Sequence, residues 1–311
     1  MKFVTFRNQR GDERAGWIKD RYVVDMHALS RGGLPDNMLA FLQGDFIDEA
    51  LRLDQILDTE GELSAYGEAM YDLDGVSLCA PIPKPPSVRD FYAFEEHVKT
   101  ARSKRGLDVV PEWYEFPVFY FSNYQAIIGP GYEVERPRKC NQLDYELELA
   151  CIIGKIGRNI SVDEAEDYIF GYCIMNDWSA RDIQLAEVKV GLGPAKGKDF
   201  ATSLGPYLVT KDELECYRTD ADRFDLVMTA RVNGKLLSQG NFRTIYYSFA
   251  DMIARASEDA TLFPGDVIGS GTVGTGCILE LGTEVHRWLE PDDVVELEIT
   301  GLGVLRNKVR E

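Results

Sequence analysis

Residues 145–153 have the sequence Tyr-Glu-Leu-Glu-Leu-Ala-Cys-Ile-Ile, in which apolar and acidic side chains alternate before an apolar run begins. Strand side chains point to opposite faces at every step, so the alternation predicts a β-strand with Glu146 and Glu148 about 6.6 Å apart on one face. Two carboxylates at that spacing can converge on one cation. An amphipathic strand with a solvated face shows the same pattern, so this pair alone leaves both interpretations open.

The chain after about residue 87 is rich in similar strand patterns. Short alternating segments, separated by glycine, recur at 118–121, 207–210, 226–232 and 294–300. One helix is predicted to begin at Ser161, because Ser161 and Glu164 have the spacing of a capping box, and to run to about residue 168. A second helix is predicted over the apolar segment 245–255. These patterns predict an α+β fold that is mainly β.

The first 79 residues mix strand and helix patterns. Alternation predicts strands at 3–6 and 16–24, and apolar residues three and four apart predict helices at 37–42 and 46–57. Residues 80–86 then include four prolines, which fix φ and lack a backbone donor, so neither a helix nor a central strand can continue through them. We therefore predict a small α+β domain at 1–79 and a β-rich domain at 80–311.

The composition limits the classes of function. The 311 residues carry a formal net charge of −18, which argues against a nucleic-acid surface, because such surfaces are built from clustered cations. No apolar run approaches the roughly 20 residues of a membrane-spanning helix, and the N-terminus shows no export signal. Six widely spaced cysteines without a C-x-x-C pair predict reduced thiols. We expect a soluble, cytoplasmic protein that binds neither nucleic acid nor membrane.

Two more polar clusters lie near the ends of strand patterns. The apolar run 170–175 predicts a buried strand, and Asn176-Asp177 ends it, although Asn-Asp is also an ordinary turn pair. The motif Arg89-Asp90-Phe91-Tyr92 comes shortly before His97, one of three histidines. Imidazole is the side chain most readily available as a general base near neutral pH. His97 is therefore the candidate base among these acidic motifs.

The acidic motifs together resemble the fumarylacetoacetate hydrolase superfamily over about residues 80–305. The most specific match is Asn176-Asp177-Trp178-Ser179-Ala180-Arg181-Asp182-Ile183-Gln184, and Gly197-Lys198-Asp199-Phe200 and Gly271-Thr272 follow it in order. The resemblance implies a mixed β-sandwich roll and a homodimer. It also implies a divalent cation such as Mg²⁺, Mn²⁺ or Ca²⁺.

The resemblance implies three groups of site residues. The implied metal ligands are Asp90, Glu146, Glu148 and Asp177. The implied catalytic residues are the general base His97, Glu280 that orients it, and Lys198 and Arg181 that stabilise negative charge. The implied substrate contacts are Tyr92, Tyr120, Gln184 and Thr272. Without the resemblance, Lys198 would be interpreted as a surface lysine, Glu280 as a solvated strand residue and Tyr120 as a core aromatic.

The implied activity is metal-dependent hydrolysis of a carbon–carbon bond in a β-diketo acid, a small anionic dicarbonyl substrate of aromatic or amino-acid catabolism. The same site would also suit decarboxylation or isomerisation of a 2-oxo or 2-hydroxy-dienoic diacid, as in oxaloacetate decarboxylases and hydroxyhepta-diene-dioate isomerases. A non-catalytic cation-binding module is the alternative from another class. That alternative leaves His97, Lys198 and Arg181 without a purpose.

Two departures from the family pattern bear on the substrate. Thr100 stands three residues after His97, where acylpyruvate hydrolases and oxaloacetate decarboxylases of the superfamily have glutamate, which favours the pairing of His97 with Glu280. Val188 stands four residues after Gln184, where fumarylacetoacetases have tyrosine.

The segment 98–112 is cationic in an otherwise acidic chain, since it contains Lys99, Arg102, Lys104 and Arg105. It predicts a mobile lid that closes over an anionic substrate, with a solvated helix face as the alternative.

Overall fold

The computed structural model describes residues 1–59, 67–219 and 223–311. The strands are β1 (Lys2–Arg7), β2 (Glu13–Lys19), β3 (Tyr22–Asp25), β4 (Met70–Asp72), β5 (Ser77–Leu78), β6 (Val88–Phe91), β7 (Phe119–Phe121), β8 (Ile127–Ile128), β9 (Glu133–Glu135), β10 (Leu143–Asp144), β11 (Leu147–Ile153), β12 (Gly157–Arg158), β13 (Ile169–Asp177), β14 (Ser179–Ala180), β15 (Thr202–Thr210), β16 (Val227–Val232), β17 (Lys235–Asn241), β18 (Thr261–Leu262), β19 (Val267–Gly269), β20 (Val294–Ile299) and β21 (Gly303–Arg310). The α-helices are α1 (Met26–Leu29), α2 (Met38–Gln43), α3 (Ile47–Thr59), α4 (Glu95–Ser103), α5 (Arg181–Val188), α6 (Phe249–Ser257) and α7 (Ile278–Leu281).

Within the described ranges the largest sheet has 12 strands and is mostly antiparallel. Its main path runs β4-β3-β2-β1-β15-β13-β11-β19-β6-β7, with β5 paired to β1 and β8 paired to β15. The pairs β19–β6 and β15–β8 are parallel. A second sheet has the order β17-β16-β20-β21-β9. The predicted class, α+β and mainly β, is confirmed.

Strand β11 lies in the middle of the large sheet between β13 and β19. All seven of its residues are buried. Leu147, Leu149 and Cys151 pack into the main hydrophobic core. Ala150 and Ile152 point to the opposite face and pack with apolar residues of the N-terminal elements, including Phe3. Because Glu148 is fully buried on that same face, the alternation in this stretch does not mark a solvated strand surface.

The N-terminal region has the predicted mixture of strands and helices, with α2 and α3 beginning within one residue of the predicted positions. The predicted strand at 16–24 is instead two strands, β2 and β3, because Asp20 adopts a positive φ of 52° in the turn between them. Strand β1 pairs with β15, so the N-terminal strands continue the large sheet. The division into domains 1–79 and 80–311 stays a prediction.

Two helix predictions need correction. Residues Val162–Tyr168 form a 3-10 helix, and the predicted capping box is absent, because the Ser161 hydroxyl donates to Glu164 Oε2 at 2.6 Å rather than accepting from the helix backbone. The helix predicted at 245–255 is α6, which begins at Phe249. Ser248 and Asp251 form a complete capping box there, and this fixes the start of the helix four residues after the predicted start.

The described ranges contain no helix that combines the length and apolar character needed to cross a bilayer.

Candidate active site

Four acidic side chains on or next to three strands of the large sheet, β13, β11 and β6, meet at one place, with β19 between β11 and β6. Asp177 ends β13, Glu146 directly precedes β11 with Glu148 one residue inside it, and Asp90 lies on β6. The antiparallel register pairs Leu147 with Asn176, so the end of β13 lies beside the start of β11. Each residue offers an oxygen, and these oxygens lie within 4.8 Å of one another. The structure thus brings together all four residues that the resemblance implied as ligands.

A glycine between the strands leaves room for this cluster. Gly269 on β19 pairs with Asp90 on one side and with Ala150 on the other. A Cβ at this position would lie 2.6 Å from Asp90 Oδ1 and 2.8 Å from a methyl group of Met175. Any larger residue would therefore push the Asp90 carboxylate away from its neighbours.

The acidic cluster is buried, which makes its negative charge costly. Burial, together with the charge of Asp177, raises the pKa of Asp90 well above its usual range. Burial, together with the charges of Asp90 and Glu146, also raises the pKa of Glu148 well above its usual range. Two carboxylates about 4 Å apart repel each other by roughly 4 kcal/mol at an effective dielectric constant near 20. A nearby positive charge removes most of this cost.

The donor set fits a hard divalent cation. Asp90 Oδ1 and Asp177 Oδ1 are buried, and neither has a hydrogen-bond partner within the described part of the chain. Buried acceptors are normally satisfied, so two such oxygens in one cluster indicate a ligand. All the offered atoms are carboxylate oxygens, which Mg²⁺, Mn²⁺ and Ca²⁺ prefer. The residues present are therefore compatible with the predicted cation.

Two cationic side chains reach the same cluster. Lys198 Nζ lies 2.5 Å from Glu146 Oε2 and also contacts Asp177. Burial alone would lower the pKa of Lys198, but the carboxylates of Asp177 and Glu146 outweigh it and raise that pKa. Lys198 therefore stays protonated near neutral pH and is a fixed cation. Its burial, with 3% of its surface exposed, excludes the interpretation as a surface lysine.

Arg181 is the first residue of α5, and its side chain is buried between two carboxylates. Nη2 lies 2.8 Å from Glu146 Oε1 and 2.9 Å from Asp144 Oδ2. Burial would raise the pKa of Glu146, but Lys198 and Arg181 outweigh it and lower that pKa. Glu146 is thus held in its ionised form by the two cations.

His97 and Glu280 form a buried pair beside this cluster. His97 lies in α4 and Glu280 in α7, and His97 Nδ1 is 2.5 Å from Glu280 Oε1. The other oxygen of Glu280 accepts the backbone N–H of Thr275 at 2.9 Å. A carboxylate only accepts, so Nδ1 is the donor and the lone pair of the imidazole lies on Nε2. Glu280 is 8% exposed and helical, so it is not a solvated strand residue.

A cavity of about 300 Å³ connects His97 with the acidic cluster. Its polar wall includes Asp90, Glu146, Glu148, Arg181 and Lys198. Its apolar wall includes Phe91, Val118, Phe119, Leu185, Val188 and Leu279. Arg105, from the cationic segment 98–112, also lines it. The cavity therefore presents one charged end and one apolar side to a small molecule.

The four residues predicted to contact substrate also line this cavity. Tyr92 packs edge-on against the His97 ring with centroids 5.3 Å apart, and burial raises the pKa of Tyr92 to about 12. Tyr120 donates to Asp177 Oδ2 at 2.5 Å, and Thr272 donates to Glu148 Oε1 at 3.3 Å. Gln184 accepts from Arg181 at 3.2 Å. Tyr120 is half-buried and contacts the acidic cluster, so it is not simply a core aromatic.

Two residues near the site received no role in the sequence analysis. Asp144 is fully buried and pairs with Arg181. The period-two spacing of Asp144, Glu146 and Glu148 was an available signal, because alternate strand residues share a face. Cys277 is buried with its Sγ 3.5 Å from Glu280 Oε1, and no sequence pattern distinguished it from the other buried cysteines.

The comparisons with known proteins agree with this geometry. Residues 87–310 match the family model described as fumarylacetoacetate (FAA) hydrolase C-terminal. The chain belongs to the fumarylacetoacetate hydrolase family. The matched segment contains every residue of the acidic cluster, the His97–Glu280 pair and both buried cations. The recognition made from the sequence motifs is therefore confirmed.

Relatives within the family differ in their named reactions. A mitochondrial oxaloacetate tautomerase of Rattus norvegicus is 35% identical over 296 residues, which cover 92% of this chain and 83% of that protein. A fumarylacetoacetase of Arabidopsis thaliana is 32% identical over 241 residues, 62% of this chain. The match spans only 57% of the length of that fumarylacetoacetase.

A maleylpyruvate hydrolase from Sphingobium sp. SYK-6, solved with manganese(II) and pyruvate, covers 100% of this chain and 99% of its own with a TM-score of 0.71 at 25% identity. The family is thus one of enzymes, with hydrolase and tautomerase members.

Proposed function

We propose that this protein is a metal-dependent hydrolase that cleaves a carbon–carbon bond in a β-diketo acid of the fumarylacetoacetate or acylpyruvate type. The observation that carries the proposal is the buried hydrogen bond between His97 and Glu280, which lies beside the acidic cluster and at the edge of the same cavity. A base oriented by a carboxylate suits the activation of water. The resemblance and the hydrolase relatives support the same reaction class.

The cation would be held by Asp90, Glu146, Glu148 and Asp177, whose oxygens are close enough to share one ion. When bound, a divalent cation supplies Lewis acidity that polarises the carbonyl oxygens of a β-dicarbonyl substrate. The manganese-bound maleylpyruvate hydrolase supports this assignment, and Mg²⁺ and Ca²⁺ are compatible with the same oxygens. A cation-binding module without catalysis would not need an oriented imidazole in the same cavity.

The protein's own groups account for each proton transfer. Nε2 of His97 accepts a proton from water, and the resulting hydroxide oxygen bonds to the carbonyl carbon next to the scissile bond. That carbon–carbon bond then breaks, and its electron pair leaves with the departing fragment as an enolate. Lys198 and Arg181 are fixed cations that stabilise this developing charge. The protonated His97 returns its proton to the enolate carbon, so the products are a carboxylic acid from the attacked carbonyl and a keto acid from the enolate.

Glu280 determines which nitrogen of His97 is the base. Because its carboxylate accepts from Nδ1, the neutral imidazole keeps its lone pair on Nε2. The ionised carboxylate also stabilises the imidazolium that forms when water is deprotonated. Tyr92, with its pKa raised to about 12 by burial, keeps its proton and remains a hydrogen-bond donor at the cavity wall.

The second candidate function is tautomerisation of oxaloacetate or a related 2-oxo diacid at the same site. It is favoured by the rat oxaloacetate tautomerase, which matches 92% of this chain and most of its own length. In that reaction His97 would remove a proton from the carbon between the two carbonyl groups, and the proton would be delivered to the enolate oxygen to give the enol, or the reverse, with no bond to water. Decarboxylation of the same enolate-forming substrates is the remaining variant.

The products distinguish these reactions. Purified protein with Mn²⁺ or Mg²⁺ is mixed with acylpyruvates, fumarylpyruvate, fumarylacetoacetate and oxaloacetate, and the products are separated by chromatography. Hydrolysis yields two carbon fragments from one substrate, tautomerisation changes the enol absorbance without fragments, and decarboxylation releases CO₂. Fragments from a diketo acid support the proposal. Enol interconversion of oxaloacetate without any hydrolysis across the panel would replace it with the second candidate.

The charge of the cavity favours a substrate with a second carboxylate. Arg105 lines the cavity, and Arg102 lies close enough to Tyr92 to act on its pKa through its charge. Residues 98–103 of the segment 98–112 belong to α4, which also carries His97. We propose that this cationic segment closes over an anionic substrate as a lid.

The assembly and location are also proposals. The resemblance supports a homodimer that acts on a small dicarbonyl acid. The net charge of −18, the widely spaced cysteines and the lack of a long apolar run support a cytoplasmic protein that binds neither nucleic acid nor membrane. Light scattering coupled to size-exclusion chromatography would give twice the chain mass for the homodimer. A monomer under the conditions of full activity would contradict it.

A further inference from the structure

A buried carboxylate outside the cavity wall joins two separate parts of the site. Asp144 ends β10, and none of its side chain is exposed. Its Oδ2 accepts from Arg181 Nε at 2.9 Å and from the backbone N–H of Leu279 at 3.0 Å. Its Oδ1 accepts from the backbone N–H of Ile278 at 2.8 Å. One side chain therefore bonds to the first residue of α5 and to the first turn of α7.

Helix α7 depends on this contact. It has only four residues, and its N-cap residue, Cys277, forms no side-chain capping bond. A single helical turn is not stable by itself, because its first N–H groups lack partners and nucleation is unfavourable. Asp144 supplies the missing acceptors from a distant part of the chain. The position of Glu280, which α7 carries to His97, is fixed by these bonds together with the Thr275 N–H.

Arg181 is held by the same carboxylate. Its Nη2 lies 2.9 Å from Asp144 and 2.8 Å from Glu146, so the guanidinium is fixed between a carboxylate behind it and one in the acidic cluster. The backbone supports this arrangement independently, because Asp144 pairs with Ser179 in the β10–β14 ladder. Changing the Asp144 side chain would thus alter the direction of the guanidinium while the backbone pairing remains.

We propose that Asp144 is a positioning residue that fixes Arg181 and the His97–Glu280 pair relative to one another. The inference rests on the proposed function, since it concerns the base and the anion-stabilising cation of that reaction. Asp144 acts through Arg181 and α7 and does not touch the substrate. An asparagine has the same shape but one oxygen and one NH₂ group. If its oxygen takes the place of Oδ2, the NH₂ group faces the N–H of Ile278; in the other orientation it faces Arg181 and the N–H of Leu279, so at least one donor loses its acceptor.

The test compares Asp144→Asn with a matched control, Asp293→Asn. Asp293 is also buried, pairs with Arg287 at 2.6 Å, and accepts from Asn233 and from the backbone N–H of Glu290. Neither Asp293 nor these partners line the cavity. We expect Asp144→Asn to lower kcat about 100-fold, as misplacement of reacting groups does, with KM and the Mn²⁺ dissociation constant changed less than about 3-fold. Asp293→Asn should keep kcat.

A second readout does not depend on the reaction. Hydrogen exchange of the peptide 275–281 should become faster in Asp144→Asn and stay unchanged in Asp293→Asn. The reason is that Asp144, unlike Asp293, accepts hydrogen bonds from N–H groups of α7. Unchanged kcat in Asp144→Asn, or equal losses in the two variants, would overturn the inference. If the wild type turns over no substrate of the panel, the proposed function fails. The hydrogen-exchange measurement still tests the inference about Asp144, and unchanged exchange of peptide 275–281 in Asp144→Asn would overturn it.

If Asp144→Asn fails to fold because it leaves the Arg181 charge buried without its partner, a second comparison remains. Arg181→Gln removes that charge, and the double variant with Asp144→Asn then tests the bond to α7 alone. We expect the double variant to have a kcat roughly 10-fold below that of Arg181→Gln, as losses of supporting contacts commonly give. Equal kcat values would show that Asp144 serves Arg181 only, and would overturn the proposed link.

Discussion

The substitution Glu280→Gln tests how His97 is prepared as a base. In the structure, one oxygen of Glu280 accepts from His97 Nδ1 at 2.5 Å and the other accepts from the Thr275 N–H at 2.9 Å. A glutamine has one oxygen for these two donors. If that oxygen accepts from Thr275, the amide NH₂ faces Nδ1 and favours the tautomer with hydrogen on Nε2. That tautomer cannot take a proton from water.

The size of the effect has two parts. Loss of a hydrogen bond to a charged group costs about 1.5–3 kcal/mol, which corresponds to about 10- to 150-fold in rate. Stabilisation of the wrong tautomer adds to this, as in serine proteases, where the equivalent change of aspartate to asparagine lowers kcat about 10⁴-fold. We expect Glu280→Gln to lower kcat by about 10²- to 10⁴-fold. KM should change less than about 3-fold, since Glu280 does not line the cavity.

The assay is steady-state turnover of an acylpyruvate with saturating Mn²⁺, together with thermal unfolding of each variant. Glu96→Gln is the matched control, because Glu96 lies next to His97 on α4 but is exposed. It should retain full kcat. If Glu280→Gln keeps kcat within about 3-fold of the wild type while staying folded, His97 does not depend on Glu280, and the base assignment is wrong.

Three further predictions concern the cation, the base and the cationic segment. Removal of metal with EDTA should abolish turnover, and Mn²⁺ should restore it. Burial raises the pKa values of Asp90 and Glu148, so these groups contribute fully to the stability of the metal-free fold below their usual pKa values of about 4 and lose that contribution as pH rises. Mn²⁺ should therefore raise Tm more near pH 8 than near pH 5. An equal increase at the two pH values would contradict this. His97→Ala should lower kcat at least about 100-fold and leave the Mn²⁺ dissociation constant from calorimetry unchanged, whereas a purely structural cation module would show no turnover to lose. Combined Arg102→Gln and Arg105→Gln should raise KM for a dicarboxylate about 10-fold and not for a monocarboxylate, with Lys104→Gln as the control; unchanged KM would remove the lid proposal.

The parts of the acidic cluster could be predicted from the sequence because their signals are local. Alternation in residues 145–149 places Glu146 and Glu148 together, and the buried run before Asp177 places that carboxylate at a strand end. Sheet register then brings these ends side by side, which no single segment of sequence shows. The meeting of the motifs could be predicted only through the family resemblance.

The sequence did not reveal the role of Asp144, because its partners lie on α5 and α7, the latter more than 130 positions later in the chain. Its period-two relation to Glu146 gave a direction for the side chain but no partner. The capping-box spacing at Ser161 was also a weak signal, because no side-chain cap formed there. Ser248 and Asp251 form a complete capping box, but in a segment that was already expected to be helical. Long-range contacts, which local patterns do not encode, decided the role of Asp144, whereas at Ser161 a local bond from the hydroxyl to Glu164 took the place of the predicted cap.

The central claim is that four carboxylates on or next to β6, β11 and β13 hold one divalent cation beside His97. Anomalous diffraction from a crystal grown with Mn²⁺ tests it most directly, because manganese is located without reference to the surrounding atoms. We predict one strong anomalous peak among the carboxylates of Asp90, Glu146, Glu148 and Asp177, next to the cavity that His97 lines. No peak at that position in a crystal of protein that is active with Mn²⁺ would contradict the account.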